Sequence, residues 1–367
     1  MEGKMKAAVY YGIKNIALEE VDIPQITEND ILVRVVKAGI CGSDTGAFLH
    51  GGVRYGVWDG MVQGHEGVGR IVEKGANVAD DLQIGDLVFV EPMRAHKAGK
   101  IEADVLGTFG EYILVQDAKK DDNVYTIKPD TDLDLAALIE PLAVGTQGAL
   151  CTNPQPEDNV VVLGAGTIGL CAAAGLINHG VKNVVVVDRN EWKLEIARKI
   201  GAKTVNSREE NVGEKLVEIF GSFVNTATRM QYADPRIMKQ LMAMNTAGAS
   251  RVSGVKPNVQ LYVDCAGAKD LLMQSLAFAA EGTKYVVVSV YSEPLEINGS
   301  IFMGEPQLIG SAGYRPATIK EVIDHVENER TPIRNIITAQ YSIDEFNTAM
   351  EKAAYKENKN IKVLINF

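Results

Sequence analysis

The sequence predicts an α/β protein of two domains, one β-rich and of the barrel type, the other a doubly wound parallel sheet. Three observations carry this reading. At 367 residues the chain is long for a single hydrophobic core. Its first 150 residues hold short apolar runs bounded by Gly, Pro and Asp, which read as strands. From Asn159 onward, strand-like and helix-like segments alternate, the pattern of a doubly wound fold. The β-rich domain is expected over 1–155 and 296–367, and the parallel sheet over 156–295 with an insertion at about 222–258.

The elements follow in order. KAAVYY, ILVRVVKAGI, GVGRIVEKG, GDLVFVEP and GEYILVQ predict strands, and DLDLAALIEPLAVGTQGAL is the first segment of helical length. NVVVLGAG is a continuous apolar run, as suits a strand buried on both faces. TIGLCAAAGLINHG predicts a helix, KNVVVVD a strand and EWKLEIARKIG a helix, with further strands at VQLYVDCAG and KYVVVSV. After SEPLEINGSIFMGEPQLIG the pattern is mixed; helices at TIKEVIDHVENE and IDEFNTAMEKAAYK precede a last strand, IKVLINF. The stretch between EKLVEIFG and VQLYVDCAG fits neither domain. Its Met230, Met238, Met242 and Met244 read as a surface helix packing its methionines inward, with a lid or a subunit contact as the alternative.

Composition narrows the partners. An apolar fraction of 46% and a charged fraction of 23% are those of a globular protein, and a net charge of −11 argues against nucleic acid. No apolar stretch approaches the roughly 20 residues that span a bilayer. The N-terminal segment turns acidic before any long apolar run, so neither membrane nor secretion is expected, and the compartment read from the sequence is the cytoplasm. Cys41, Cys151, Cys171 and Cys265 are spread widely without a C-x-x-C pair, which argues against disulfides.

VVVLGAGTIGL sets Gly164, Gly166 and Gly169 at G-x-G-x-x-G spacing, after a strand and opening a helix across Thr167 and Ile168. Asp188 ends the next strand. In that context the pattern reads as a dinucleotide site, with pyrophosphate at the helix N-terminus. Asp188 would accept hydrogen bonds from the adenosine ribose and repel a 2′-phosphate, favouring NAD(H). Arg189 pulls the other way, since it could pair with that phosphate. Asp188 could also cap the following helix.

A second constellation is scattered: Cys41, Ser43 and Asp44 in AGICGSDTG, His65 and Glu66 in VQGHEGVGR, and Glu140 in AALIEPLAVG. Thiolate, imidazole and carboxylate could hold Zn²⁺ in an open tetrahedral site, though spacing alone leaves a buried core cysteine and a polar turn as the plainer reading. Taken together and in this order, GICGSD, GHEGVGRIVEKG, IGDLVFVEP, LIEPLAVG and VVVLGAGTIGL resemble the zinc-dependent medium-chain dehydrogenases. The resemblance is greatest to the branch of sorbitol (polyol), butanediol and threonine dehydrogenases, and it covers nearly the whole chain. It implies a GroES-like catalytic domain and a Rossmann domain, with hydride transfer between NAD and a secondary alcohol or ketone.

The resemblance further implies that Cys41 and His65 ligate zinc, and that of Glu66 and Glu140 one ligates directly and the other directly or through water. Asp44 would hold the ring N–H of His65, and Ser43 would contact the substrate hydroxyl and relay its proton. A homodimer or homotetramer is implied, with TKYVVVSVYSEPLEI as its sheet edge. Departures are equally specific. The lobe EPMRAHKAGKIEADVLGTFGEY lacks the four clustered cysteines of a structural zinc, so one catalytic zinc is expected and His96 reads as a surface residue. Gly46 stands where many members carry a histidine that passes protons to solvent, leaving bound water or His50 for that task. Gly313 precedes Tyr314, with Arg315 after it, where polyol enzymes tend to place an arginine before the tyrosine; that argues against a simple hexitol. Two other readings compete: a zinc-free NADPH-dependent enone or quinone reductase, and a non-catalytic dinucleotide-binding protein.

Overall fold

The computed structural model describes residues 1–95, 107–223 and 256–367, apart from 278, 292, 298, 331, 356 and 358. His96 and the four methionines of the inserted segment lie outside the described residues. The chain divides into two compact units, Met1–Ala143 with Tyr314–Phe367, and Val144–Gly313. The divisions expected at 155/156 and 295/296 sit elsewhere because the first division falls within one helix, Ile139–Leu150, and because a late strand joins the second unit.

The first unit is built from short alternating strands. β1 (Lys4–Tyr10) pairs antiparallel with β2 (Ile16–Asp22), and β3 (Ile31–Gly39) precedes the two-residue β4 (Met61–Val62), which closes on β1. β5 (Glu66–Lys74) pairs antiparallel with β3 and is followed by β6 (Leu87–Val90), β7 (Tyr112–Val115) and β8 (Val124–Ile127). Register shifts between Leu32 and Val33 and between Val35 and Lys37 mark bulges in the β3–β5 ladder, the first with Val72 of β5 unpaired and the second with Val36 of β3, and they bend it. Inward side chains such as Ile31, Val33, Val35, Ile71 and Val88 form the core, closed by Phe109 packed on Phe346 with ring centroids 4.8 Å apart.

The second unit carries β9 (Asn159–Leu163), β10 (Asn183–Asp188), β11 (Lys203–Asn206), β12 (Leu261–Asp264), β13 (Lys284–Val287) and β14 (Gln307–Gly310). All pair in parallel in the order β11-β10-β9-β12-β13-β14. β9 is buried at every position, as its unbroken apolar run requires. The helix Glu191–Ile200 stops at Gly201, whose φ of 109° lets its N–H turn back to the last carbonyls. The sheet edge differs from the expected one: among the described residues Lys284–Val287 is interior, and the edge strand on that side is Gln307–Gly310. The two strands are equally long, but Tyr285 and Val286 are buried whereas QLIG is largely exposed, as suits an edge.

The first unit is completed from the chain's last segment. β15 (Ile337–Ser342) runs parallel to β16 (Lys362–Asn366), and β16 pairs antiparallel with β3, giving the path β15-β16-β3-β5-β6-β8 with β7 also on β3. Among the described residues no helix is long and apolar enough to cross a membrane.

Candidate metal centre and dinucleotide turn

Cys41 stands at the N-cap of the helix Gly42–His50, in extended conformation. The local sequence makes a capping box with sulfur in the role of a hydroxyl. The Cys41 side chain accepts the N–H of Asp44, and Oδ2 of Asp44 accepts the N–H of Cys41 at 2.8 Å. That box directs the thiol off the helix end. Ser43, half-buried, occupies the same first turn.

His65 and Glu66 arrive from the start of β5. Gly64 precedes them with φ of 96°, and a Cβ built on it would lie 2.4 Å from Oγ1 of Thr108, so only glycine fits. One ligand atom from each of Cys41, His65 and Glu66 falls within 4.8 Å of the others. Nδ1 of His65 lies 3.8 Å from Oδ1 of Asp44, an ion-pair separation longer than a hydrogen bond. Glu66 is fully buried, and its Oε1 has no hydrogen-bond partner. Its other oxygen, Oε2, accepts from Nζ of Lys362 at 2.5 Å, and Lys362 also donates to the carbonyl of Ile40 at 3.0 Å. Space for that carboxylate comes from Gly39, opposite Glu66 in the ladder: a Cβ there would stand 2.3 Å from Oε2.

Glu140, in the first turn of its helix, is buried but lies outside the 4.8 Å cluster. Its carboxyl still responds to the charges of His65, Glu66 and Lys362. The hydroxyl of Tyr314 acts on the same carboxyl without reaching a full hydrogen-bond geometry. Burial pushes Glu140 up to about 7 and Asp44 up to about 6, in each case against the pull of His65. Burial would push the His65 imidazole down, but the Cys41 sulfur and the Asp44 and Glu140 carboxylates outweigh it and hold it well above its ordinary value. Lys362 behaves alike: Glu66 and Cys41 overcome its desolvation and raise it. The buried pocket thus gathers more acidic groups than its histidine and lysine neutralise. A cation meets that need, and a thiolate, an imidazole and a carboxylate are donors suited to zinc.

Lys362 is the residue the sequence reading missed. Its only signal is a lysine opening the apolar strand KVLIN, where a charge requires a buried partner.

In the second unit the glycine turn follows β9. Gly164 has φ of 100°, Gly166 is the N-cap of the helix Thr167–Asn178 with open space around its Cα, and a Cβ on Gly169 would stand 1.8 Å from the carbonyl oxygen of Gly164. These are the geometries of a tight turn, a backbone free for close approach and a helix packed hard on its strand. Thr167 and Ile168 are half-buried at the helix start. Asp188 braces the turn: Oδ2 accepts from the N–H of Ala165 at 2.8 Å, and Oδ1 from the N–H of Asn190 at 2.9 Å. The carboxylate therefore serves both the turn and the entry to the next helix. Arg189 is exposed beside it.

The chain is similar to known dehydrogenases over nearly its whole length. Residues 27–125 match the alcohol dehydrogenase GroES-like domain, and residues 167–328 match the zinc-binding dehydrogenase family. The chain is 28% identical over 383 residues to a sorbitol dehydrogenase of Bacillus subtilis, covering 98% of this chain and 97% of that protein. It is 30% identical over 329 residues to a D-xylulose reductase of Scheffersomyces stipitis, covering 82% and 80%. Among solved structures, 2R,3R-butanediol dehydrogenase from Bacillus subtilis superposes with a TM-score of 0.79 over 99% of both chains at 22% identity, a likeness of fold.

Proposed function

The chain belongs to the zinc-dependent medium-chain dehydrogenase family, and from that premise we propose an NAD-dependent enzyme that oxidises secondary alcohols of the diol or polyol kind, and reduces the matching ketones. Coarsely, it is an oxidoreductase acting on alcohols. The observation that carries the finer reading is the convergence of Cys41, His65 and Glu66 within 4.8 Å around a buried carboxylate oxygen that lacks a partner.

Cys41, His65 and Glu66 would hold one zinc ion, with Glu140 close enough to share its charge. Zinc bound there supplies Lewis acidity that lowers the pKa of a substrate hydroxyl, and NAD supplies the hydride acceptor. The remaining tasks belong to the chain. Asp44 orients His65 and caps Cys41, and Lys362 fixes one oxygen of Glu66 so that the other is left for the site. Ser43, on the same helical turn as Cys41, would accept a hydrogen bond from the substrate hydroxyl and relay its proton, passing its own onward to bound water or His50. Gly164, Gly166 and Gly169 admit the pyrophosphate, and Asp188 accepts from the adenosine ribose, favouring NAD over NADP. The unit Met1–Ala143 with Tyr314–Phe367 carries the alcohol chemistry, and Val144–Gly313 carries the dinucleotide.

Metal analysis joined to a substrate panel tests the proposal. About one zinc per chain is expected, with NAD-linked turnover on a diol or polyol that stops on chelation and returns with Zn²⁺. Turnover that persists without metal, or a preference for NADPH and enones, would refute it.

A further inference from the structure

The order of the parallel sheet reverses between β9 and β12, and doubly wound sheets bind ligands outside the carboxyl ends of their strands at that point. Asp264 ends β12 there, 1% exposed. Its Oδ1 accepts from the N–H of Ala266 at 3.1 Å, and its Oδ2 accepts from the hydroxyls of Tyr291, at 2.7 Å, and Ser289. The carbonyl of the same residue accepts from the N–H groups of Val288 and Ser289 at 3.0 and 3.1 Å.

The loop that follows is held on both flanks. The backbone of Ala266 lies 3.0 Å from the position of a Cβ on Gly164, so the loop abuts the glycine turn. Gly267, with φ of 59°, would set a Cβ 3.3 Å from the carbonyl oxygen of Val290. One buried carboxylate therefore ties the segment 288–291 to the loop that abuts the glycine turn. A charged acceptor makes each of these hydrogen bonds stronger than a neutral one would. Asp188 performs the corresponding task at the end of β10, in the half of the sheet that takes adenosine.

We infer that Asp264, acting through the hydroxyls of Ser289 and Tyr291, is a positioning residue for the nicotinamide half of the dinucleotide. The inference rests on the dinucleotide reading above. It requires that the segment 288–291, released from Asp264, no longer presents a fixed surface to the second mononucleotide while the first is held as before.

The test compares two ligands, NADH and ADP-ribose, which share the adenosine and pyrophosphate and differ in the nicotinamide. Binding is measured by NADH fluorescence and by calorimetry for Asp264→Asn, and for the double variant Ser289→Ala with Tyr291→Phe, which leaves the carboxylate in place. In both, the NADH Kd is expected to rise about tenfold or more, a loss of about 1.4 kcal/mol, with ADP-ribose changed by less than about twofold. Equal weakening of both ligands, or no change in either, overturns the inference. Should Asp264→Asn fail to fold, the hydroxyl variant decides alone. If the unsubstituted protein binds neither ligand, the dinucleotide reading itself is wrong and the inference falls with it.

Discussion

The ammonium of Lys362 lies 2.5 Å from Oε2 of Glu66, and both side chains are closed to water. A buried pair of this kind contributes little net stability, yet removing one partner leaves the other charge stranded, at about 3–5 kcal/mol. Lys362→Met is expected to lower the unfolding free energy of metal-free protein by about that amount. Added Zn²⁺ should recover part of it, because a cation can then take the stranded carboxylate. Urea titrations with and without metal check this; an unchanged midpoint in the metal-free variant would contradict it.

Cys41→Ala and His65→Ala should each lose zinc and alcohol turnover while NADH affinity stays within about twofold, since the proposed dinucleotide site belongs to the other unit. Metal analysis and NADH fluorescence on the same preparations decide the matter. Full zinc content in either variant would remove that residue from the ligand set.

Gly39→Ala tests the space around Glu66. The new methyl would sit 2.3 Å from a carboxylate oxygen that Lys362 already holds, and overpacking costs about 1–3 kcal/mol. Gly42→Ala is the control, because nothing lies within 4 Å of a Cβ there. A melting temperature lowered equally in both would point to backbone effects instead.

Asp188→Ala should relax the preference for NAD over NADP. It should also cost about 2 kcal/mol, because two backbone N–H groups lose a charged acceptor. Ratios of kcat/KM for the two cofactors measure the first effect and thermal unfolding the second. An unchanged ratio with lowered stability would leave Asp188 as a brace alone.

The stability of metal-free protein should fall as pH rises. In the folded state Asp44 is pushed up to about 6, Glu140 up to about 7, and His65 well above its ordinary value. Each therefore keeps its proton after the unfolded chain has released it, so the folded state binds more protons and base favours unfolding. The two carboxyls contribute fully below their ordinary values of 3.8 and 4.5, and lose that contribution as pH rises through 6 and 7. His65 loses its contribution above 6.5, with the same sign. Bound cation replaces these protons and should flatten the slope. Denaturation midpoints at about pH 5 and 8, with and without chelator, measure it; a metal-free protein more stable at pH 8 would reverse the argument.

What was legible in the sequence was local. The glycine turn and its brace lie within one strand–helix–strand unit, so Gly164, Gly166, Gly169 and Asp188 could be read from spacing and context. The strands of the first unit followed from their apolar runs and breakers. Cys41, His65 and Glu66 were joined by resemblance, since nothing in their spacing brings a helix cap beside the start of β5. Lys362 was invisible for a stronger reason: its pairing with Glu66 depends on β16 lying against β3, a contact no local pattern encodes. The edge expected at TKYVVVSVYSEPLEI came from resemblance alone, and the sheet instead places Lys284–Val287 between β12 and β14. Asp264 escaped notice because its hydroxyl partners stand 25 and 27 residues away, past a helix and a further strand.

Glu66 and Lys362 are separated by 296 positions. At roughly 5–20 residues per second a ribosome needs on the order of 15–60 s to travel from one to the other. Throughout that interval Glu66 is without the lysine that pairs with it, because the strand that will supply it is unmade. The entire parallel-sheet unit is synthesised in between and is free to fold first. The order of completion then runs against the order of synthesis: the unit begun before the parallel sheet closes after it.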